Sequence, residues 1–338
     1  MIRALACASL VVALASCARD PIEGSACGDV ERPTVAPKTL DRDFRGFSAE
    51  IASDGTAVHY SGANEGALLR MPLSGGAKPD VLLRTSRLRR IVGHGTRVCW
   101  ADPERIACLV GDGPAFEVAR PTPSRSYYKF EFDFDETWVY WLERGALMRA
   151  PLDRSATATV LLATHEEWST LAVGSGHIVF ATTADTTVYA CETADACATL
   201  RVLEAYGTNR ATLGRISVDA RFAYVPVVPV RPGEHPAGKV RRIALDGDRV
   251  DDLVFCTDEV PVAVAVDDAT AFVLTRTSVD QPNADCTGSV LAVPLAGGVP
   301  RRIARDQRCP WSIALAPGKV VWSNAKDHGE GELLVLPR

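Results

Sequence analysis

The chain has no surplus of basic charge. Its 37 Lys and Arg stand against 42 Asp and Glu, a formal net charge of −5. Nucleic-acid binding demands a basic face, so that class is excluded. No two cysteines stand in C-x-x-C spacing, and none of the six histidines falls in H-E-x-x-H or another metal spacing. A structural or catalytic zinc centre therefore has no ligand set. A G-x-S-x-G elbow and a phosphate-binding glycine loop are also missing. Beyond the first residues no apolar run is long enough for a transmembrane helix. General disorder is excluded as well, because 47% of the residues are apolar and can build a core.

What is present begins with self-similarity. "ALLRMPLSGGAKPDVLLR" from Ala67 and "SVLAVPLAGGVPRRIARD" from Ser289 are near copies. A second pattern, an apolar strand, a turn and a Val-x-Trp-like strand, recurs seven times. Its equivalent apolar residues are Ile51, Ile91, Phe132, Leu171, Ile216, Val264 and Ile313, separated by 40, 41, 39, 45, 48 and 49 residues. A period of roughly 40–50 residues is that of a propeller blade. Each unit reads as four short strands, A to D. Gly-Gly or Asp-Gly supplies the positive φ of the C–D turn. Continuous Val/Ile/Leu/Ala runs suit strands covered on both faces by neighbouring blades. The expected fold is all-β: a propeller of seven four-stranded blades, with six or eight as the alternatives.

The seventh unit stops at strand C, "GELLVLPR". The missing D strand is found near the other end, where "APKTLDRD" (Ala36–Asp43) matches "VPRRIARD" (Val299–Asp306). This N-terminal strand is expected to close the ring and leave only protected edges. Val139-Tyr140-Trp141 and Val320-Val321-Trp322-Ser323-Asn324 resemble the YWTD motif of low-density-lipoprotein-receptor-type propellers. The Leu-Ala-Gly-Gly turns resemble those of bacterial lipoproteins with related propellers. The YWTD resemblance implies six blades, whereas the period implies seven.

Arg3 and the apolar stretch Ala4–Ala15 read as the n- and h-regions of an export signal, too short to span a bilayer. Leu14-Ala15-Ser16-Cys17 resembles the lipobox of bacterial lipoproteins. That resemblance implies cleavage before Cys17, acylation of Cys17, and a stable anchor from several acyl chains. Ala18, where inner-membrane retention favours Asp, implies the outer membrane of a Gram-negative bacterium. The expected organisation is a signal peptide at 1–16, a lipidated tether at 17–34 and one propeller domain at 35–338.

Of ten cysteines, Cys7 leaves with the signal and Cys17 is lipidated. Eight in an exported chain read as disulfides. Around the Asp102-Pro103-Glu104-Arg105 turn, Cys99 falls opposite Cys108 in a non-hydrogen-bonded pair, close enough to bridge. Cys191 and Cys197 flank the C–D turn of the fourth unit. Cys27, Cys256, Cys286 and Cys309 allow three pairings; Cys286–Cys309 joins the start of C to the end of D in one blade, which leaves Cys27–Cys256.

One strand breaks the repeat. In "EFDFDE", period two places Glu131, Asp133 and Asp135 on one face and Phe130, Phe132 and Phe134 on the other. At the Asp133 position the other units carry Ala52, Val92, Ala172, Ser217, Ala265 and Ala314. A carboxylate on an innermost strand is a candidate for binding a cation such as Ca²⁺ or for titrating with a raised pKa. His94 and His177 fall in A–B turns and read, like the other histidines, as solvated. Gly93-His94-Gly95 and Gly174-Ser175-Gly176 read as turn glycines.

The face carrying the D–A and B–C loops has the longest insertions, from Pro226 and from Thr275. It also carries Arg89, Arg90, Arg125, Tyr127, Tyr128, Trp168, Tyr206, Arg210 and Trp311. Aromatics with Arg are the composition of interface anchors. Tyr128, Trp168, Trp311, Arg90, Glu131 and Asp133 are the candidate binding residues. The function expected is a monomeric, non-enzymatic binding or scaffold lipoprotein. Its partner would be a protein, peptide or cell-envelope component. It would need no resident cofactor and would touch the membrane only through its anchor. The alternative is a metal-assisted hydrolase, lactonase or lyase with its site in the channel near Glu131 and Asp133.

Overall fold

A computed structural model describes residues 35–45, 50–61, 66–85, 88–122, 130–143, 145–163, 168–183, 185–208, 211–229, 239–253, 259–277, 286–325 and 330–338. The tether, Cys17, Cys27, Cys256, Tyr128 and the tips of both long insertions lie outside the described residues. Among the described residues there is no helix, and seven antiparallel sheets form a seven-bladed propeller.

Six sheets follow the chain outward from A to D, and the seventh takes its outermost strand from the N-terminal side. Blade 3, for example, runs Phe132–Phe134, Trp138–Glu143, Ala146–Pro151 and Thr159–Ala163. All seven anchor residues sit on or beside the innermost strands, so seven blades stand rather than six or eight. The innermost strands touch one another in order around the ring, and that of blade 7, Pro310–Ala316, returns to that of blade 1, Ile51–Ser53.

The continuous apolar runs follow from what covers each sheet. The buried side chains form seven clusters, and each cluster joins two neighbouring blades. In Arg97–Ala101, Val98 and Trp100 face blade 1, whereas Cys99 and Ala101 face blade 3. Alternation along the strand sends successive side chains to opposite blades, so no face is left for water and no polar phase appears.

Ring closure is as expected. Lys38–Arg45 pairs antiparallel with Glu330–Pro337 as the D strand of blade 7. Leu40 enters the cluster between blades 7 and 1, and Tyr60 donates to Asp41 Oδ2 at 2.6 Å.

The Gly-Gly hairpins serve turn geometry. Gly75, Gly76, Gly297 and Gly298 all have positive φ, in the C–D turns of blades 1 and 6. The Gly-x-Gly stretches are only half turn chemistry. Gly95 takes a positive φ, but a Cβ on Gly93 would stand 2.5 Å from the Ser53 carbonyl of blade 1. Gly93 is needed because two innermost strands approach closely there.

The register around the Asp102 turn is the predicted one. Cys99 pairs opposite Cys108 with Cα atoms 4.0 Å apart, and the two form a disulfide. Cys191–Cys197 and Cys286–Cys309 are also bonded. All six sulfurs belong to buried residues.

Candidate functional site

Alternate residues of the innermost strands form two layers around the channel, and only the upper one is mainly polar. The lower layer lies toward the A–B turns and contains Asp133. Its carboxylate is buried. Oδ1 accepts from the Phe134 N–H at 2.8 Å and lies 2.7 Å from His94 Nε2, while Oδ2 accepts from the Val173 N–H at 2.7 Å. One side chain of blade 3 thus ties blades 2 and 4. Both oxygens have partners within the fold, so the side chain acts as an inter-blade brace. Among the described residues no three His, Cys, Asp or Glu side chains gather as a metal site.

His94 is half exposed, not freely solvated. Its ring meets Phe134 edge-on at 4.8 Å. Burial opposes its positive charge, but Asp133 and then Asp135 outweigh that, and the net effect raises its pKa. His59 departs further from the expected solvated histidine. It is fully buried, with Nε2 2.8 Å from Asp54 Oδ2. Burial pushes its pKa down despite Asp54.

Asp135 does not join the acidic wall. The innermost strand ends at Phe134, and Asp135 caps the A–B turn instead. It accepts from the Thr137 and Trp138 N–H groups, both at 2.7 Å, and from the Tyr140 hydroxyl at 2.8 Å. The same device recurs five residues apart as Asp219–Tyr224, at 2.6 Å, and Asp54–His59. Blade 6 has Phe272 in place of the tyrosine, and its Asp267 pairs with Arg338. This i, i+5 pairing was legible in the repeat but is found only by aligning the turns. Burial first, then Asp219, pushes the Tyr224 hydroxyl far above its ordinary range, so it remains a donor. Tyr224→Phe should leave that carboxylate short of one donor and cost about 1.5–3 kcal/mol in denaturant unfolding.

The upper layer lies one residue before each anchor, at the mouth on the long-loop face. The seven positions hold Glu50, Arg90, Glu131, Thr170, Arg215, Ala263 and Ser312. Arg90 of blade 2 lies between Glu50 of blade 1, at 3.5 Å, and Glu131 of blade 3, at 3.6 Å. Arg215 of blade 5 crosses the mouth. It donates through Nη1 to Ser312 Oγ of blade 7 at 3.0 Å, and through Nη2 it pairs with Glu50 Oε1. Beside it, Arg276, from the end of the Thr270–Arg276 strand, donates through Nε to the Pro310 carbonyl at 2.6 Å and stacks 4.5 Å over the Trp311 ring.

Of the expected binding residues, Arg90, Glu131 and Trp311 therefore meet this mouth, while Asp133 sits in the layer below. Trp168 opens the innermost strand of blade 4, Trp168–Gly174, and Tyr128 lies outside the described residues. Glu50, Arg215 and Arg276 were not anticipated. The first two share a column of the repeat with Arg90 and Glu131, which was the available signal. Arg276 belongs to another strand and had none.

No family model matches this chain, and no curated protein matches it. Among solved structures the chain is similar to an oligogalacturonate lyase in complex with manganese. That match has a TM-score of 0.64 at 11% identity and covers 91% of this chain and 94% of that one. It is also similar to the WD40 domain of Neurospora crassa Pan2, with a TM-score of 0.62 at 12% identity, covering 85% and 88%. The computationally designed Ika8 protein matches with a TM-score of 0.56 at 11% identity, covering 88% and 100%. At such identities the likeness bears on the fold alone.

Proposed function

We propose that this protein is an exported lipoprotein, anchored at Cys17 to the cell envelope. Its propeller acts as a non-enzymatic binding or scaffold module for a protein, peptide or envelope partner. The observation that carries this reading is the channel mouth. Buried and half-buried charges from four blades converge there beside the stacked Arg276–Trp311 pair, on the face that also carries the two longest insertions. Loops and element ends held on a rigid ring are where recognition sits, and aromatic–Arg pairs are typical anchors. Channel chemistry at Asp133 has less support, because its carboxylate already braces three blades.

The Tyr128→Ala, Trp168→Ala, Trp311→Ala triple variant should lose most of the partners that co-purify with the wild-type protein from envelope extracts. Recovery of the same set would place recognition on another face. A mature N-terminus other than acylated Cys17 in mass spectrometry would remove the anchor from the reading.

A further inference from the structure

We infer that the channel mouth between blades 5 and 7 is a carboxylate-binding site, built from Arg276, Arg215 and Ser312 over the Trp311 ring. The inference rests on the reading of this face as the binding face and names what it recognises.

The first argument is charge. Arg90 and Arg215 are matched by Glu50 and Glu131, so the chain of ion pairs across the mouth is neutral as a set. Arg276 is left over. It is only 5% exposed, yet among the described residues its one hydrogen-bond acceptor is a carbonyl, and that bond uses Nε. Among the described residues its two terminal nitrogens meet no carboxylate. A buried guanidinium without a carboxylate is a costly arrangement in a folded chain. Burial accordingly pulls Arg276 down to about 10, and burial together with Arg276 pulls Arg215 down to about 9.

The second argument is donor geometry. A guanidinium offers a planar fork that fits the two oxygens of a carboxylate. Arg276 bonds through Nε alone among the described residues, Arg215 is a quarter exposed at its side, and Ser312 Oγ lies 3.0 Å from Arg215. The indole Nε1 of Trp311 is buried and has no acceptor among the described residues. The ring holds Arg276 from below, as cation–π stacking does, so the fork is pre-positioned. Among the described residues of the mouth the uncompensated charge is a single one. A monoanion neutralises it, whereas a phosphate dianion would overshoot and face Glu50. That selects a carboxylate, presented as a chain terminus or as an acidic side chain.

The test uses wild-type protein and Arg276→Gln, with Arg276→Lys as the charge-retaining variant. Melting temperature is followed against acetate, N-acetylglycine, N-acetylaspartate amide, acetamide and inorganic phosphate, at ionic strength matched with chloride. Wild type should show a saturable rise with the three carboxylates and none with acetamide. A stronger response to N-acetylglycine marks a chain terminus; a stronger response to N-acetylaspartate amide marks a side chain. Arg276→Gln should bind about tenfold more weakly or worse, as expected for losing a charged hydrogen bond. If that variant does not fold, Arg276→Lys should keep a weakened response. Equal responses to phosphate and acetate, or an unchanged response in Arg276→Gln, would overturn the inference. So would the absence of any carboxylate effect on wild type. Partner recovery by the triple variant is read separately. Its loss without a carboxylate response sinks this inference alone, and carboxylate binding with partners retained sinks the partner reading alone.

Discussion

Deleting residues 35–45 should reduce stability by about 5 kcal/mol or more, counting the ladder bonds to the last strand and the burial of Leu40. That is most of the stability a typical domain has. The physical reason is topological. Every other D strand is joined to its own sheet by a short turn, but Lys38–Arg45 reaches Glu330–Pro337 from the far end of the chain. Without it the blade 7 sheet ends in an eight-residue strand with open N–H and C=O groups, and the cluster between blades 7 and 1 loses Leu40. An open apolar edge invites pairing with a second molecule. Thermal unfolding should therefore shift down by more than ten degrees, with dimers or larger species in size-exclusion chromatography. A synthetic peptide of residues 35–45 should restore both by adding the strand in trans. A deleted chain that melts within two or three degrees of wild type as a monomer would show that closure contributes little.

Asp133→Ala should cost about 2–4 kcal/mol, because it strips two buried N–H groups, those of Val173 and Phe134, of their acceptor. The alanine leaves the Val173 N–H without its acceptor and His94 without its carboxylate. The pH dependence separates this brace from an ordinary core residue. His94 has a folded pKa raised above its ordinary 6.5. Its contribution is complete below pH 6.5 and is lost as pH rises through the folded value. His59 has the opposite sign. Its folded pKa is lowered from 6.5, so its contribution is complete above pH 6.5 and is lost as pH falls through the folded value. Unfolding free energies measured from pH 5 to 9 should lose the upper slope in His94→Gln and in Asp133→Asn, and keep the lower one. If Asp133→Asn retained the upper slope, His94 would not owe its charge to Asp133.

The differences between sequence expectation and structure cluster where residues of different blades meet. The blade count, the closing strand, the Gly-Gly hairpins and three cysteine pairings were all readable, because each is local or rests on comparing one unit with another. Cys99 and Cys108 follow from counting outward from a turn, and no other blade is needed. Asp133 was visible as an intrusion in its column, but its role was not. Its partners come from His94, 39 residues earlier, and Val173, 40 residues later, about one period in each direction. A carboxylate that looked like a free ligand is consumed by its neighbours. Asp135 was placed on the wrong face because the innermost strand stops at Phe134, one residue short of what period two assumed.

The mouth shows the same division more sharply. The column Glu50, Arg90, Glu131, Arg215, Ser312 could be written down from the repeat. That Arg215 passes over blade 6 to reach blades 7 and 1 could not, because a channel is the one place in a ring where non-adjacent units come within side-chain reach. Arg276 lay on a B strand, outside that column altogether. The sequence alone determined the repeating unit and the way the ring closes, since strand periodicity, turn chemistry and blade length are properties of neighbouring residues. Only the tertiary structure decided which charges neutralise one another and which guanidinium has no carboxylate among the described residues, since that depends on distances across the axis, which no periodicity encodes.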